Sequence, residues 1–390
     1  MRIRTALALA AALSMAACTS GSSPNTGIGS PPAPPTSGSS SSASPSVSST
    51  PATIAGTPLP ECDGRIRFTG NQTVAFAADG HVWVLDPSSG DLSCLWPVTD
   101  PGPFIWGPLG DRLLLGGLEV VGGRDAPSHH ASDVQPTVAD WGHPVGVAIV
   151  FSQEGESRPQ KLLLEEGRVQ TLRSMPAGTY LDVAYHPSGL ALAFVIEIHG
   201  QQSIWLSTNE GENPTRLVFS KSGAVFTDIE FSSDGRSLYY TANHPQGYAQ
   251  VHWVDLSAPG TIEDGWRSIG DVSLHDVVLA PRGSHIAVDT GESCESSQAL
   301  FLDGLAKQHP ALPDEQRPTR VLGWLDRSTA LVGAGGCGSA LDLFAVDVKH
   351  GQPKPLVAGV EDAATRVPAP PAPSTLPKVV EEEVPPGGVG

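Results

Sequence analysis

An all-β propeller is the fold this chain predicts, and three observations carry it. First, an aromatic or apolar residue stands before a tight turn at Phe68, Trp106, Trp141, Tyr185, Phe231, Leu279 and Trp324, at intervals of 38, 35, 44, 46, 48 and 45 residues. Second, an apolar strand follows the turn, as in Asp182-Val-Ala-Tyr-His-Pro-Ser-Gly189 leading to Leu190–Ile196 and Asp228-Ile-Glu-Phe-Ser-Ser-Asp-Gly235 leading to Leu238–Thr241. Third, a later strand recurs at a matching offset, as in His81–Asp86, Ser203–Leu206, Val251–Asp255, Ala299–Asp303 and Leu343–Asp347. A period of roughly 40–45 residues holding four short strands is the signature of a propeller blade.

Seven blades are expected, at about residues 61–98, 99–134, 135–175, 176–220, 221–270, 271–315 and 316–362. The second is the least regular, because the Gly- and His-rich run Gly122–Asp133 shows no outer hairpin. If that run is a long loop, six blades remain.

The flanks read differently. Arg2 and Arg4 precede a short apolar run, Ala6–Met15, which is too brief for a permanent span. Met15-Ala16-Ala17-Cys18 resembles a bacterial lipobox with Met15 in place of Leu. The resemblance implies a signal peptide over 1–17, cleavage before Cys18, and acylation there that anchors the chain to a membrane. Residues 18–60 are almost entirely Ser, Pro, Thr, Gly and Ala, too poor in large apolar groups to offset chain entropy, and are expected to form a disordered tether. The Pro- and Glu-rich stretch 363–390 is expected to be a disordered tail.

The formal charge is −18, from 41 acidic and 23 basic residues, and loss of Arg2 and Arg4 makes it −20. Such a surface disfavours nucleic acid and favours cationic partners. A ring that buries its own edges favours a monomer.

The aromatic, Ser/His-Pro-x-Gly turn and apolar strand, clearest at Tyr185–Gly189 and Phe231–Gly235, resemble the TolB-type WD-like propeller repeat. The resemblance spans about 61–362 and implies a protein- or peptide-binding scaffold at the cell envelope, in a bacterial lipoprotein.

With Cys18 assigned to lipid, four cysteines remain, an even number suited to an oxidising compartment. Their places in the repeat pair Cys62 with Cys94 and Cys294 with Cys337. Asp182, Asp228 and Asp276 each stand three residues before the anchor position. Equivalent heights in adjacent blades bring them to one side of the channel mouth. There they suit a cationic peptide or calcium, or they accept backbone amides in the blade-to-blade connection. Asp86, Asp234, Asp255, Asp303, Asp326 and Asp347 read as turn residues. His143, His186 and His275 read as core or channel-lining groups. No Gly-x-Ser-x-Gly elbow, phosphate loop or paired metal-ligand spacing occurs, so no catalytic or metal residue is assigned. Two alternatives to the scaffold stay open: a small-molecule or metal sensor, and a propeller enzyme acting on cell-wall sugar or peptide.

Overall fold

A computed structural model of the chain describes residues 3–4 and 51–365, apart from 55, 65–67, 69–72, 96–103, 109, 116–118, 123–128, 131–135, 143–147, 165, 221–222, 257–264, 271, 282–284, 294, 304–306, 337–338 and 350–351. The described strands form seven antiparallel sheets. The inner strands of blades 2 to 7 are Ile105–Trp106, Pro136–Trp141, Thr179–Tyr185, Val225–Phe231, Leu274–Leu279 and Thr319–Trp324. Each ends on the anchor residue read from the sequence. Each touches the next around the ring, and the strand Asp362–Thr365 touches those of blades 7 and 2, so the circle closes.

Blade 1 differs from expectation. Its inner strand is not the segment at Phe68 but Asp362–Thr365, which pairs with Val74–Ala77. Thr365, opposite Val74, takes the anchor place, and Phe68 packs edge-on against Trp106 at 5.9 Å. The last blade therefore feeds its chain end into the first. At the opposite end, Thr53–Ile54 pairs with Val357–Ala358 on the outer edge of blade 7 and with Thr57–Pro58. Ordered strands thus pass both expected limits, 61 and 362. The tether expected over 18–60 and the tail expected from 363 each lend residues to the ring. The physical reason is edge satisfaction: both segments cover backbone groups that an open ring leaves unpaired.

Blade 2 completes its sheet with Glu119–Gly122, which leads into the run that read as irregular, and with His129–His130 inside that run. The core lies between blades. One cluster joins Ala184, Ala193 and Leu206 of blade 4 to Phe226, Ile229 and Phe231 of blade 5. Another joins Ala287 and Phe301 of blade 6 to Val321 and Trp324 of blade 7. Small residues in one blade admit the aromatic ring of the next, which is how a repeat reaches interior packing density. Among the described residues, no helix is long and apolar enough to cross a membrane.

Candidate functional site: the inner ring

The inner strands carry their acids in register, and the register decides what those acids do. Asp182 is buried, 2% exposed. Its Oδ1 accepts the Val183 amide at 2.9 Å and its Oδ2 the Ile229 amide of blade 5 at 2.8 Å. Asp228, 0% exposed, accepts the Val277 amide of blade 6 at 2.7 Å. Asp276 is half-buried and lies opposite Asp289 on the neighbouring strand. In that blade Asp289 reaches onward, accepting the Val321 amide of blade 7 at 2.8 Å.

These are circumferential clips. The outward edge of each inner strand pairs with its own sheet, while alternate amides point the other way and need acceptors. A carboxylate from the preceding blade supplies one, and bonds of this charged kind are stronger than neutral ones. Of the two roles open to Asp182 and Asp228, the geometry gives them backbone acceptance inside the ring.

Three further clips were not read from the sequence. Asp140 Oδ2 accepts the Tyr185 amide at 2.7 Å and its Oδ1 the Trp141 amide at 2.8 Å. Glu230 accepts the Leu279 amide at 3.0 Å. Asp289 is the third. Asp140 and Glu230 each stand one residue before an anchor, and Asp289 interrupts the apolar run Ile286–Val288; those positions were the available signal.

A second layer of bridges lies at the turns. His186, 1% exposed, spans blades 4 and 5. Its Nε2 lies 3.0 Å from the Gly235 carbonyl, and its Nδ1 lies 3.1 Å from the Ser188 amide and 2.7 Å from the Ser188 hydroxyl. A carbonyl only accepts and an amide only donates, so Nε2 carries the proton and the ring is neutral. Its edge meets Phe231 at 5.1 Å. Gly235 has φ +71° and a Cβ there would fall 2.3 Å from His186 Nε2, so the turn and the bridge require glycine together. Lys161, buried in blade 3, bonds Glu210 at 2.7 Å and the Asn209 carbonyl at 3.0 Å in a turn of blade 4. Asp86, Asp234, Asp326 and Asp347 cap their own turns, as the sequence indicated.

Blade 5 holds a pair of histidines. Gln250 Oε1 lies 2.9 Å from His244 Nε2 and 3.0 Å from His252 Nε2. His244 stacks on Tyr248 at 4.3 Å and His252 on Tyr240 at 4.9 Å. Burial, with the nearby His244, pulls the His252 imidazole from 6.5 down to about 4. Burial also lowers His186. A histidine held neutral when folded contributes stability that is full above the unfolded value near 6.5 and fades as pH falls below it. The urea midpoint is therefore expected to drop between pH 6.5 and about 4. A His186→Phe/His252→Phe double variant should drop less across that window than the parent does; an equal drop would contradict the assignment.

Cys62 and Cys94 form a disulfide with Cα atoms 5.7 Å apart, fastening the segment before blade 1 to its outer strand. A structural disulfide marks an oxidising compartment. Cys18, Cys294 and Cys337 lie outside the described residues. Among the described residues no group of three or more His, Cys, Asp or Glu is placed to hold a metal ion.

The geometry defines the class: a closed β-propeller with a carboxylate-clipped inner ring. Solved structures agree on the fold. An oligogalacturonate lyase from Vibrio parahaemolyticus matches at 14% identity and TM-score 0.52, covering 76% of this chain and 89% of that one. The β-propeller domain of Cps50 (Swd1) from Myceliophteria thermophila matches at 15% identity and TM-score 0.50, covering 80% and 100%. TolB from Acinetobacter baumannii matches at 13% identity and TM-score 0.46, covering 80% and 88%. At such identities the likeness to the first two is one of fold. No protein-family model and no curated protein matches the chain.

Proposed function

We propose that this chain is a lipid-anchored, extracytoplasmic propeller that binds a protein or peptide segment at the cell envelope. The observation that carries the reading is the closed inner ring. The strands Thr53–Ile54 and Asp362–Thr365, the disulfide and the clips fix the blades before any partner arrives, so docking costs little ordering entropy. The lipobox ending at Cys18, the tether and the charge of −18 support the placement and a cationic partner. At about 5–6 Å × √n, the roughly 35 residues between Cys18 and Thr53 reach ~30 Å from the membrane.

A second disulfide, Cys294–Cys337, belongs to the same reading. The residues beside these cysteines meet: a Cβ on Gly336 would stand 2.7 Å from Glu295 Oε2. The Thr319 amide bonds Ser297 O and the Gly335 amide bonds Pro318 O, both at 2.8 Å. This brings the turns of blades 6 and 7 onto one connection.

In-cell cross-linking tests the function, with the anchored chain compared against a version keeping only residues 1–60. One envelope complex enriched by the propeller over the tether is the expected result. Equal recovery from both would end the scaffold reading and turn attention to a ligand screen.

A further inference from the structure

We propose that the channel-facing edge of the inner strand of blade 3, Pro136–Trp141, is a strand-addition site for an extended cationic peptide from an envelope partner, an inference that rests on the binding role above. The argument begins with which amides face inward. The Gly142 amide donates to the Ala148 carbonyl of the next strand, at 2.8 Å. Amide direction alternates along a strand, so Trp141 and Ala139 point away from the sheet, toward the channel. The Trp141 amide is met by Asp140 at 2.8 Å.

Ala139 stands two residues before its anchor. At that place in blades 4, 5 and 6 the amides of Val183, Ile229 and Val277 are held by Asp182, Asp182 and Asp228. The clipping acid comes from three residues before the anchor, on the same blade or the preceding one. For blade 3 those two positions are Val138 and Pro103. Neither is a carboxylate.

The edge takes a strand instead. Ile3–Arg4 pairs antiparallel with it, Ile3 opposite Ala139 and Arg4 opposite Val138. Because the Ala139 amide points inward, Ala139 and Ile3 form the hydrogen-bonded kind of antiparallel pair. The edge thus accepts extended backbone at a position whose counterparts in blades 4 to 6 carry an acid clip. Cleavage before Cys18 removes Ile3–Arg4 and opens the edge in the mature chain. Strand addition of this type draws affinity from main-chain bonds and selectivity from charge and alternate side chains. A mature charge of −20 selects a cationic segment.

The test uses the mature chain carrying Cys18→Ser and a capped synthetic peptide of residues 1–8, Met-Arg-Ile-Arg-Thr-Ala-Leu-Ala. Titration by fluorescence anisotropy at physiological salt compares it with the same peptide N-methylated at its Ile. Methylation deletes one main-chain donor while leaving charge and composition in place. The proposal expects saturable binding that methylation weakens at least tenfold, with slowed hydrogen exchange at the Ala139 amide. Equal affinity for both peptides, absence of saturation at millimolar peptide, or an unprotected Ala139 amide would each overturn it. Partner capture by cross-linking can still succeed in those cases, so failure here is separable from failure of the binding role.

Discussion

A chain ending at Val360 is expected not to reach the native ring, whereas one ending at Arg366 unfolds like the full chain. The shorter chain loses Asp362–Thr365 and with it the pairing to Val74–Ala77. It loses the Glu361 amide bond to the Ala77 carbonyl at 2.8 Å and the Trp106 indole bond to the Ala364 carbonyl at 3.4 Å. It loses the Thr365 hydroxyl bond to the Trp324 carbonyl at 3.1 Å and the Arg320–Asp362 pair at 3.2 Å. Ala363 and Ala364 leave two different hydrophobic clusters. The innermost strand of blade 1 is removed, so the inner edge of Val74–Ala77 opens to water. The loss is of the order of a domain's whole stability, ~5–15 kcal/mol. Near-ultraviolet circular dichroism and urea unfolding of the two truncations give the comparison. A native signal with an unchanged midpoint in the shorter chain would refute closure by the C-terminal segment.

The second large effect is expected from Trp324→Ala. This indole is 1% exposed, lies 6.0 Å from Phe301 and 6.3 Å from His285 between ring centroids, and donates to the Val278 carbonyl of blade 6 at 3.1 Å. Truncation removes the apolar contact, leaves a cavity between blades 6 and 7 and strands a carbonyl. Losses of ~3–5 kcal/mol are typical of a buried tryptophan. The m-value should hold, since the ring still closes. Trp324→Phe keeps most of the packing without the donor and should lose about 1–3 kcal/mol. Equal losses in the two variants would show that the hydrogen bond, not the packing, sets the position.

These two effects mark the border of what the sequence makes legible. The blades from Trp106 to Trp324 are readable because each anchor is followed by a turn and an apolar strand, all local signals. Blade 1 is not readable from its own stretch. Asp362-Ala-Ala-Thr365 is four residues with no aromatic and no alternation, and it becomes a strand only because Val74–Ala77 presents an open edge. Phe68 carried the right residue type at the right spacing and serves instead to pack on Trp106. The acids follow the same division. Asp182 and Asp228 are recognisable by their place in the repeat, but their acceptor role depends on a backbone amide 47 or 49 residues away. Asp289 is harder still, since it substitutes from the adjacent strand for Asp276, and only the register between the two reveals it.

The central claim is that the inner-ring carboxylates hold blade to blade instead of collecting a cation. The direct measurement is the urea midpoint of the mature chain and of Asp228→Ala, each with and without millimolar calcium. Removing Asp228 deprives the Val277 amide of its acceptor, which costs about 1–3 kcal/mol. A ligand bound to the native state raises stability by RT ln(1 + [L]/Kd), so calcium held at this ring would register in the midpoint. The account predicts a lowered midpoint in the variant and no calcium dependence in either protein. A parent midpoint that rises with calcium, and a variant midpoint that does not, would contradict it.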